Sequence, residues 1–423
     1  MRSLEAVCVS STEVSRRQIT YDEVTGLIVR VGDLGIPRAE LDFTYGDECR
    51  LFAGMGDIHI HAREDVSGKN NYKEDFTTAR AAMHNGGLTH AGDMPNNPVP
   101  PVDEHSYHEK FQLAALKAQG ELWLYAGIGP GTRPLPYPVP YKVYMGPSVG
   151  ELFFKDLASL ETVLAHYQGQ EVSFHCEDPL VLEETKQEKT HQQRRPARAE
   201  VVATKDALYL IEKFKLKGKL CHYSTREGLA LVLAARKKGV DVKLEVTPQH
   251  LYFELEQLGP GDDKKFQMNP PIRSGEDRRA LLMAVKNGDI DFLATDHAPH
   301  TQQEKDSGIS GLTGLDTYGP FVCWLLKQGV DPKTVALMAS ENPGTFHNKF
   351  LASWHKLSSE FGPRGKGLGF VVPGYCANFT VLDLEATTLV SPGKLCTKVG
   401  HSPFLGHTLP GAVKALFIKG REL

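Results

Sequence analysis

The stretch GDIHIHA, residues 56–62, is the first of eight short apolar runs that alternate with segments of helical periodicity. The later runs are LTHAGDM (88–94), LWLYAGI (122–128), YKVYM (141–145), VSFHC (172–176), KLCHYS (219–224), VKLEVTP (242–248) and DFLATDH (291–297). Helical patterns occur between many of them, at residues 73–85, 104–119, 157–167, 225–238 and 277–286. Eight short strands with intervening helices are typical of a parallel (β/α)8 barrel, so we predict an α/β fold of the TIM-barrel type.

Both ends of the chain have a different pattern, which indicates strands without intervening helices. Near the N-terminus, GLIVRVG (26–32) gives the clearest alternation of apolar and polar residues. After about residue 366 the strand-like segments FVVPGYCANFTVLDLE and AVKALFIKG follow. We predict that residues 1–52 and 366–423 pair into one small β domain beside a barrel domain of residues 53–365.

Composition and charge argue against several classes of protein. The 423 residues carry a net charge of -4, so nothing global indicates a nucleic-acid partner or a membrane surface. No apolar run approaches the ~18 residues of a spanning helix, and the first residues lack a secretory signal. Seven cysteines without regular spacing fit a reducing compartment. We expect a cytoplasmic enzyme that acts on a small molecule, with a homodimer as the ordinary state at this size.

Two histidines end the first run and suggest a metal site. Residues two apart in a strand point to the same side, so His59 and His61 can both face the interior of the barrel. Active sites of such barrels lie at the carboxyl ends of the strands. Imidazole pairs are common zinc ligands. The spacing by itself is a weak signal, because two histidines in a strand are more often structural.

Four later runs also end in, or carry, residues of ligand type. Lys142, His175, His222 and Asp296 would each reach the same rim of the barrel. Every one of them has another reading: the histidines could belong to the core, the lysine could pair with an acid, and the aspartate could cap a helix. Together with the first pair they give five coincidences in strand order, which favours a single site.

This order of residues resembles the amidohydrolase superfamily, whose two-metal members use HxH, a lysine, two further histidines and an aspartate. The resemblance implies two zinc ions. The first would be held by His59, His61 and Asp296, and the second by His175 and His222.

The same resemblance implies roles for the lysine and the aspartate. Lys142 would bridge the two zinc ions as a carbamate formed with carbon dioxide, since an ammonium cannot bind a cation and a carbamate can. Asp296 would be the catalytic proton acceptor and donor, in addition to its role as a ligand.

Within the superfamily, the chain resembles the dihydroorotase family over nearly its whole length. The passages that carry the resemblance are HIHAREDVSGKNNYKEDF (59–76), GDMPNNPVPP (92–101), YKVYMG (141–146), LEVTPQHLYF (244–253) and LATDHAPHT (293–301). The resemblance implies reversible cyclisation of N-carbamoyl-L-aspartate to L-dihydroorotate. It also implies that Arg63, Asn96 and His300 grip the carboxylate of the substrate that does not react.

Each of these three residues also has a structural reading. Arg63 could form a salt bridge with Glu64, Asn96 could shape the PNNP turn, and His300 could lie on the surface. Some passages depart from the family pattern: HAREDVSG stands where HLREPG is usual, and residues 307–319 lack the prolines of the loop that covers the substrate. A highly charged stretch, residues 183–200, is expected to be an exposed loop that enters a helix.

Two other functional classes stay open at this point. Allantoinases, hydantoinases and dihydropyrimidinases share the fold, the metals and the carbamate lysine, but they lack the same set of residues for a carboxylate. Asn96 and His300 favour dihydroorotase over them. An inactive homologue that serves as an assembly subunit would usually have lost metal ligands, whereas this chain retains all six candidates.

Overall fold

The computed structural model describes residues 1–147, 152–259 and 262–423. The strands, in chain order, are β1 (Arg2–Val9), β2 (Val14–Asp22), β3 (Leu27–Gly32), β4 (Phe43–Thr44), β5 (Cys49–Ala53), β6 (Met55–Ile60), β7 (Leu88–Asp93), β8 (Leu122–Leu124), β9 (Ala126–Ile128), β10 (Tyr141–Tyr144), β11 (Glu171–His175), β12 (Lys217–Leu220), β13 (Val242–Val246), β14 (Phe292–Leu293), β15 (Phe379–Leu389), β16 (Thr408–Ile418) and β17 (Arg421–Glu422).

The α-helices, again in chain order, are α1 (Phe76–Asn85), α2 (Glu104–Lys117), α3 (Leu157–Leu164), α4 (Pro179–Thr185), α5 (His191–Arg194), α6 (Ala197–Phe214), α7 (Arg226–Lys237), α8 (Pro248–Tyr252), α9 (Asp262–Lys265), α10 (Gly275–Lys286), α11 (Gln302–Asp306), α12 (Tyr318–Lys327), α13 (Pro332–Ala336), α14 (Asn342–Asn348) and α15 (Leu351–Leu357). A π-helical turn at Leu337–Glu341 joins α13 to α14. Within the described ranges, no helix combines the length and the apolarity that crossing a membrane requires.

Strands β6 to β14 form the parallel barrel. Neighbouring strands pair in parallel from β6 to β8 and from β9 to β14. Only Tyr125 separates β8 from β9, and β8 pairs with β7 while β9 pairs with β10, so the two segments together act as the third barrel strand. A parallel bridge between Ile60 and His297 joins the last strand to the first. The prediction of a (β/α)8 barrel is therefore confirmed.

The two ends of the chain share one sheet beside the barrel. Its strand order is β17-β16-β15-β5-β1-β2-β3, with β4 paired to β1. Strand β5 pairs in parallel with β1 and antiparallel with β15, which joins the N-terminal strands to the C-terminal ones. Leu4, Ile19, Leu51, Phe379 and Phe417 form the centre of its own apolar cluster. We propose domains at residues 1–52 with 366–423 and at residues 53–365.

Helix α1 illustrates how the helices cover the barrel. Asp75 begins it as an N-cap that accepts hydrogen bonds from the N–H groups of Thr77 and Thr78, and its Thr78 side chain completes a capping box. Phe76 and Met83 are buried on the face toward the barrel core. The apolar stripe and the capped end together dock the helix against the strands.

The charged stretch 183–200 is mostly exposed and leads into α6, as expected, but parts of it are helical. It contains the end of α4, all of α5 and the start of α6. His191 is buried beside the Met268 carbonyl at 2.8 Å, and buried Glu200 accepts hydrogen bonds from Ser224 N and Oγ. The expectation of an exposed segment that enters a helix is confirmed for most of the stretch, whereas His191 and Glu200 are buried because their polar groups find partners inside the protein.

Two histidines are buried in the core away from the site-forming rim. The rings of His90 and His347 lie 5.4 Å apart between their centroids, and neither residue is exposed. Burial lowers the pKa of His90 to about 3, and the nearby Arg364 charge acts in the same direction. Burial also holds the pKa of His347 well below its usual value. Both rings are neutral in the folded protein at physiological pH.

This arrangement predicts a loss of stability in acid. Below pH ~6.5 the histidines take up protons in the unfolded chain but not in the folded chain. The free energy of unfolding therefore decreases as the pH is lowered, by up to ~1.4 kcal/mol per pH unit for each histidine. We expect His90→Asn to make this dependence shallower by about 1 kcal/mol per unit between about pH 6 and pH 4.5, measured by urea denaturation against wild type at each pH.

The matched control is His105→Asn, because the His105 side chain is 83% exposed and forms only a surface pair with Glu109. That variant should keep the wild-type dependence on pH. An unchanged dependence in His90→Asn would show that His90 is protonated as readily in the folded chain as in the unfolded one.

Candidate active site

One pocket lies where the carboxyl ends of the barrel strands meet. It is lined by His59, His61, Arg63, Asn96, Tyr144, His175, His222, Asn269, Asp296, Ala298, Ser310 and Gly311. Eight of these side chains carry nitrogen or carboxylate groups that can bind a metal or an anion. The rim of a parallel barrel brings together residues that are far apart in sequence, since every strand ends there.

His59, His61 and Asp296 converge at this rim. The Nε2 atoms of His59 and His61 lie 3.3 Å and 3.1 Å from Asp296 Oδ1. The opposite nitrogens are occupied: His59 Nδ1 lies 2.6 Å from Glu245 Oε1, and His61 Nδ1 lies 2.7 Å from Asn96 Oδ1. In the tautomer with the proton on Nδ1, each ring donates to its oxygen partner and directs the Nε2 lone pair toward Asp296. This tautomer is the one that can bind a metal through Nε2.

Burial sets the charge of this group. It lowers the pKa of His59 to about 4 and holds that of His61 well below its usual value, so both rings are neutral. Burial raises the pKa of the Asp296 carboxyl, against the effect of His59 and Lys142. Neutral imidazoles and a carboxylate are ligands of zinc, and these three side chains fit a cation.

The second pair of histidines adjoins the first. His175 Nδ1 lies 2.9 Å from His222 Nε2, and the ring centroid of His222 is 5.3 Å from that of His59. Glu177 holds the other nitrogen of His175 at 2.8 Å and is itself paired with Arg195. If His175 Nε2 donates to Glu177, His175 Nδ1 presents a lone pair toward His222 Nε2, and the two nitrogens are placed so that both could bind one cation.

Lys142 lies in the same buried place. Its side chain is on β10 with no exposed surface, and Nζ is 3.0 Å from Cys221 Sγ and 5.2 Å from the centre of the Tyr144 ring. In the described part of the chain no carboxylate forms an ion pair with it. An ammonium buried among imidazoles without an acid is costly. Conversion to an anionic carbamate between two cations would remove that cost.

The backbone is strained at three positions of the site. Arg63, His222 and Asp296 have φ angles of 65°, 35° and 48°. Residues other than glycine rarely adopt positive φ angles. Each of them follows a barrel strand at the point where the chain turns across the rim. Strain of this kind persists only where the surrounding contacts hold it, and it often accompanies function.

Glu245 and Lys219, two buried charged residues behind the site, were not identified from the sequence. Glu245, on β13, accepts hydrogen bonds from His59 Nδ1 and from the His222 N–H at 3.0 Å, and it pairs with Lys219 on β12. Burial opposes its negative charge, but His59 and Lys219 hold the pKa of its carboxyl well below its usual range. A charged residue inside the run VKLEVTP was the only available signal.

Asp57 is a third residue of this kind. Its buried carboxylate accepts from the His59 N–H at 3.0 Å and from Thr295 Oγ1 at 2.5 Å, and so ties the first barrel strand to the last. Burial raises the pKa of this carboxyl to about 7. Through these hydrogen bonds Asp57 helps to position His59, although Asp57 does not line the pocket.

Arg63 and Asn96 line the pocket, and His300, which is not among the lining residues, contacts Arg63 from beside it. Arg63 NH2 lies 3.0 Å from His300 Nε2, and Arg63 Nε donates to the Pro299 carbonyl at 3.2 Å. Asn96 reaches His61 with its oxygen, and its amide nitrogen makes no hydrogen bond to the described residues. His300 is buried and not on the surface.

The salt bridge between Arg63 and its neighbour Glu64 does not form. Glu64 pairs with Lys117 instead and accepts from the Phe76 N–H at 2.8 Å. Across the residues that are described, no carboxylate pairs with the buried Arg63 guanidinium. The site thus contains a cationic donor that has no anion of its own.

Comparison with known proteins gives relatives over the full length. The chain is 30% identical to a dihydroorotase of Listeria welshimeri, over 93% of both chains, and 29% identical to a dihydroorotase of Pyrococcus furiosus, over 88% of this chain and 80% of the relative. No family model matches the chain.

Solved structures with the same fold include an L-hydantoinase (dihydropyrimidinase) from Arthrobacter aurescens. Its TM-score is 0.83 at 22% identity, with coverage of 99% of this chain and 95% of that one. A D-hydantoinase from Thermus sp. has a TM-score of 0.78 at 19% identity and covers 100% of this chain and 95% of its own.

The barrel, the terminal sheet and these relatives define the class: the chain is a metal-dependent amidohydrolase that acts on cyclic amides. The identity of 30% over 93% of the chain shows the family as well. The chain belongs to the dihydroorotase family.

The contact between Glu245 and His59 predicts an effect on metal affinity. Glu245→Gln should weaken zinc binding by about 10-fold to 100-fold, because His59 loses the charged acceptor that fixes its tautomer and orientation. The measurement is a chelator competition that follows bound zinc.

The matched control for this change is Glu121→Gln. Glu121 is also buried and paired, with Arg80 and His84, but it makes no contact with the site. It should lose stability and keep its affinity for zinc. Equal zinc affinity in Glu245→Gln and wild type would contradict the role given to Glu245.

Proposed function

We propose that the chain is a dihydroorotase that catalyses the reversible cyclisation of N-carbamoyl-L-aspartate to L-dihydroorotate with loss of water. The observation that carries this proposal is the buried Arg63 guanidinium, which has no anion within the described chain and lies beside Asn96 and His300. A substrate whose unreactive carboxylate enters the pocket would supply the missing anion. The names of the curated relatives support the same substrate.

The proposed ligands divide between two zinc ions. His59, His61 and Asp296 would hold the first, and His175 and His222 the second, with Lys142 as a bridging carbamate. When bound, the ions would polarise the amide carbonyl and make a water more acidic. The neutral state of the imidazoles, enforced by burial, prepares them to bind without a proton to displace.

Asp296 is the proposed carrier of the proton. In the hydrolytic direction, the attacking water gives a proton to a carboxylate oxygen of Asp296, which then passes it to the ring nitrogen as the carbon–nitrogen bond breaks. In the direction of ring closure, Asp296 takes a proton from the carbamoyl nitrogen as the carbon–nitrogen bond forms and gives it to the oxygen that leaves as water. Burial raises the pKa of the Asp296 carboxyl above its usual value, which makes the carboxylate a better proton acceptor.

Three side chains would orient the substrate. Arg63 supplies two parallel donors that match a carboxylate, Asn96 supplies its amide N–H group, and His300 supplies a ring N–H. Asn96 also contacts His61 and so would link the proposed carboxylate-binding residues to the proposed metal ligands. Ring analogues without a carboxylate would leave these buried donors unpaired, and the site would discriminate against them.

The decisive experiment is turnover of L-dihydroorotate by the purified protein supplied with zinc and bicarbonate. Allantoin and dihydrouracil serve as parallel substrates that lack the carboxylate. We expect turnover of dihydroorotate alone, lost after chelation and restored by zinc. Turnover of allantoin or dihydrouracil in its place would overturn the proposed substrate.

The unpaired Arg63 gives a second prediction. Arg63→Ala should raise the KM for dihydroorotate by about 30-fold to 1,000-fold, since loss of one partner of a buried charge pair costs about 2–4 kcal/mol. Bound zinc, measured by metal analysis, should stay at the wild-type content. Arg133→Ala, at an exposed position on a neighbouring loop, is the control and should match wild type. An unchanged KM in Arg63→Ala would remove the assigned substrate.

A further inference from the structure

Behind His300, on the side away from the pocket, lies a lysine that none of the proposed roles includes. Lys73 comes from the segment between β6 and α1, and only 9% of it is exposed. Its Nζ is 2.8 Å from Glu304 Oε1 and 3.5 Å from His300 Nδ1. Lys73 thus contacts the nitrogen of His300 that faces away from the proposed substrate.

Glu304 keeps this lysine in place. Its Oε1 also accepts from the Tyr72 hydroxyl at 2.8 Å, and its Oε2 accepts from the Thr301 N–H at 3.0 Å and lies 3.4 Å from His300 Nδ1. The carboxylate therefore has four donors without His300: the Lys73 ammonium, the Tyr72 hydroxyl, and the N–H and hydroxyl of Thr301. A lysine ammonium has donors only, so His300 Nδ1 can interact favourably with it only as an acceptor.

The other nitrogen of the ring faces a second cation. Arg63 NH2 lies 3.0 Å from His300 Nε2, and a guanidinium also has donors only. A neutral imidazole has one acceptor nitrogen and one N–H group, so it cannot accept from both cations. Lys73 is fixed by Glu304, whereas Arg63 has no carboxylate partner within the described chain and is available to an anion.

The charge of the ring supports this reading. Burial, followed by the charges of Arg63 and Lys73, lowers the pKa of His300 to about 2. The ring is therefore neutral under all working conditions. A neutral ring carries its single proton on either Nδ1 or Nε2.

We propose that Lys73 is a positioning residue that fixes the tautomer of His300, with Nδ1 as the acceptor and the proton on Nε2. This inference rests on the proposed function, because the Nε2–H group then points to the carboxylate of dihydroorotate. The opposite tautomer would donate from Nδ1 to Glu304 and would present a lone pair to the carboxylate, which repels it. Lys73 would in this way contribute to substrate affinity without touching the substrate.

The tautomer can be observed directly in the wild-type holoenzyme. Nitrogen-15 NMR separates a protonated ring nitrogen from an unprotonated one, and the spectrum of His300→Gln identifies the His300 signals by their absence. We expect a proton on Nε2 and none on Nδ1. A proton on Nδ1 would overturn the inference, whatever substrate the enzyme uses.

Kinetics test the consequence for binding. Lys73→Met keeps the length of the side chain and removes its donor, so it should raise the KM for dihydroorotate by about tenfold or more, as for loss of a hydrogen bond to a charged group, with kcat within about threefold of wild type. Lys73→Arg retains a donor and should restore most of the affinity. Lys69→Met, an exposed lysine of the same segment, is the matched control and should match wild type.

A double-mutant cycle separates an effect through His300 from a general effect of charge. In the His300→Gln background, Lys73→Met should add less than about twofold to KM, because the ring through which it acts is gone. An additive effect, or a wild-type KM in Lys73→Met, would overturn the inference. Failure of wild type to turn over dihydroorotate would instead reject the proposed function, and the NMR measurement would still decide the tautomer.

Discussion

The last barrel strand returns to the first through a hydrogen bond of 2.7 Å from the His61 N–H to the His297 carbonyl, beside the bridge between Ile60 and His297. This closure places Asp296 against His59 and His61, although the segment between them in sequence forms the other strands of the barrel. The Asp57 carboxylate strengthens the same join through Thr295. If the barrel did not close in this register, the first and last groups of ligands would lie on opposite edges of an open sheet, and no shared pocket would form.

Closure also creates an electrostatic problem, because it buries many ionisable groups in one small volume. The structure meets this problem in two ways. The imidazoles stay neutral, since burial lowers their pKa values. The carboxylates behind them are paired with buried cations, Glu245 with Lys219 and Glu177 with Arg195. Near the rim, Lys142 and Arg63 form no ion pair with a carboxylate of the described chain. At these two positions we propose an external group, carbon dioxide at the first and a substrate carboxylate at the second.

The fold and the substrate are therefore determined at different places. The barrel and its terminal sheet are shared with hydantoinases at 19–22% identity, and that likeness concerns the fold alone. A common barrel supports many reactions, and the choice among cyclic amides depends on the side chains that hold the rest of the ring. We propose that in this chain those side chains are Arg63, Asn96 and His300, with His61 in contact with Asn96 and Lys73 in contact with His300. Dihydroorotate differs from dihydrouracil by the carboxylate that these groups would bind in the proposed function.

The sequence by itself determined the barrel, the sheet made from both termini and the residues gathered at the rim. These features depend on short-range patterns: the two-residue period that puts His59 and His61 on one side, and apolar runs whose ends share one rim. The tertiary structure alone decided which charged residues support the site. Glu245 is 186 residues from His59, and Lys73 is 227 residues from His300. A glutamate in a strand or a lysine in a loop has the same local pattern whether it faces water or a buried ring, so only the packing of distant segments reveals its partner. For the same reason the sequence did not single out His191 and Glu200, which are buried within the mostly exposed stretch 183–200.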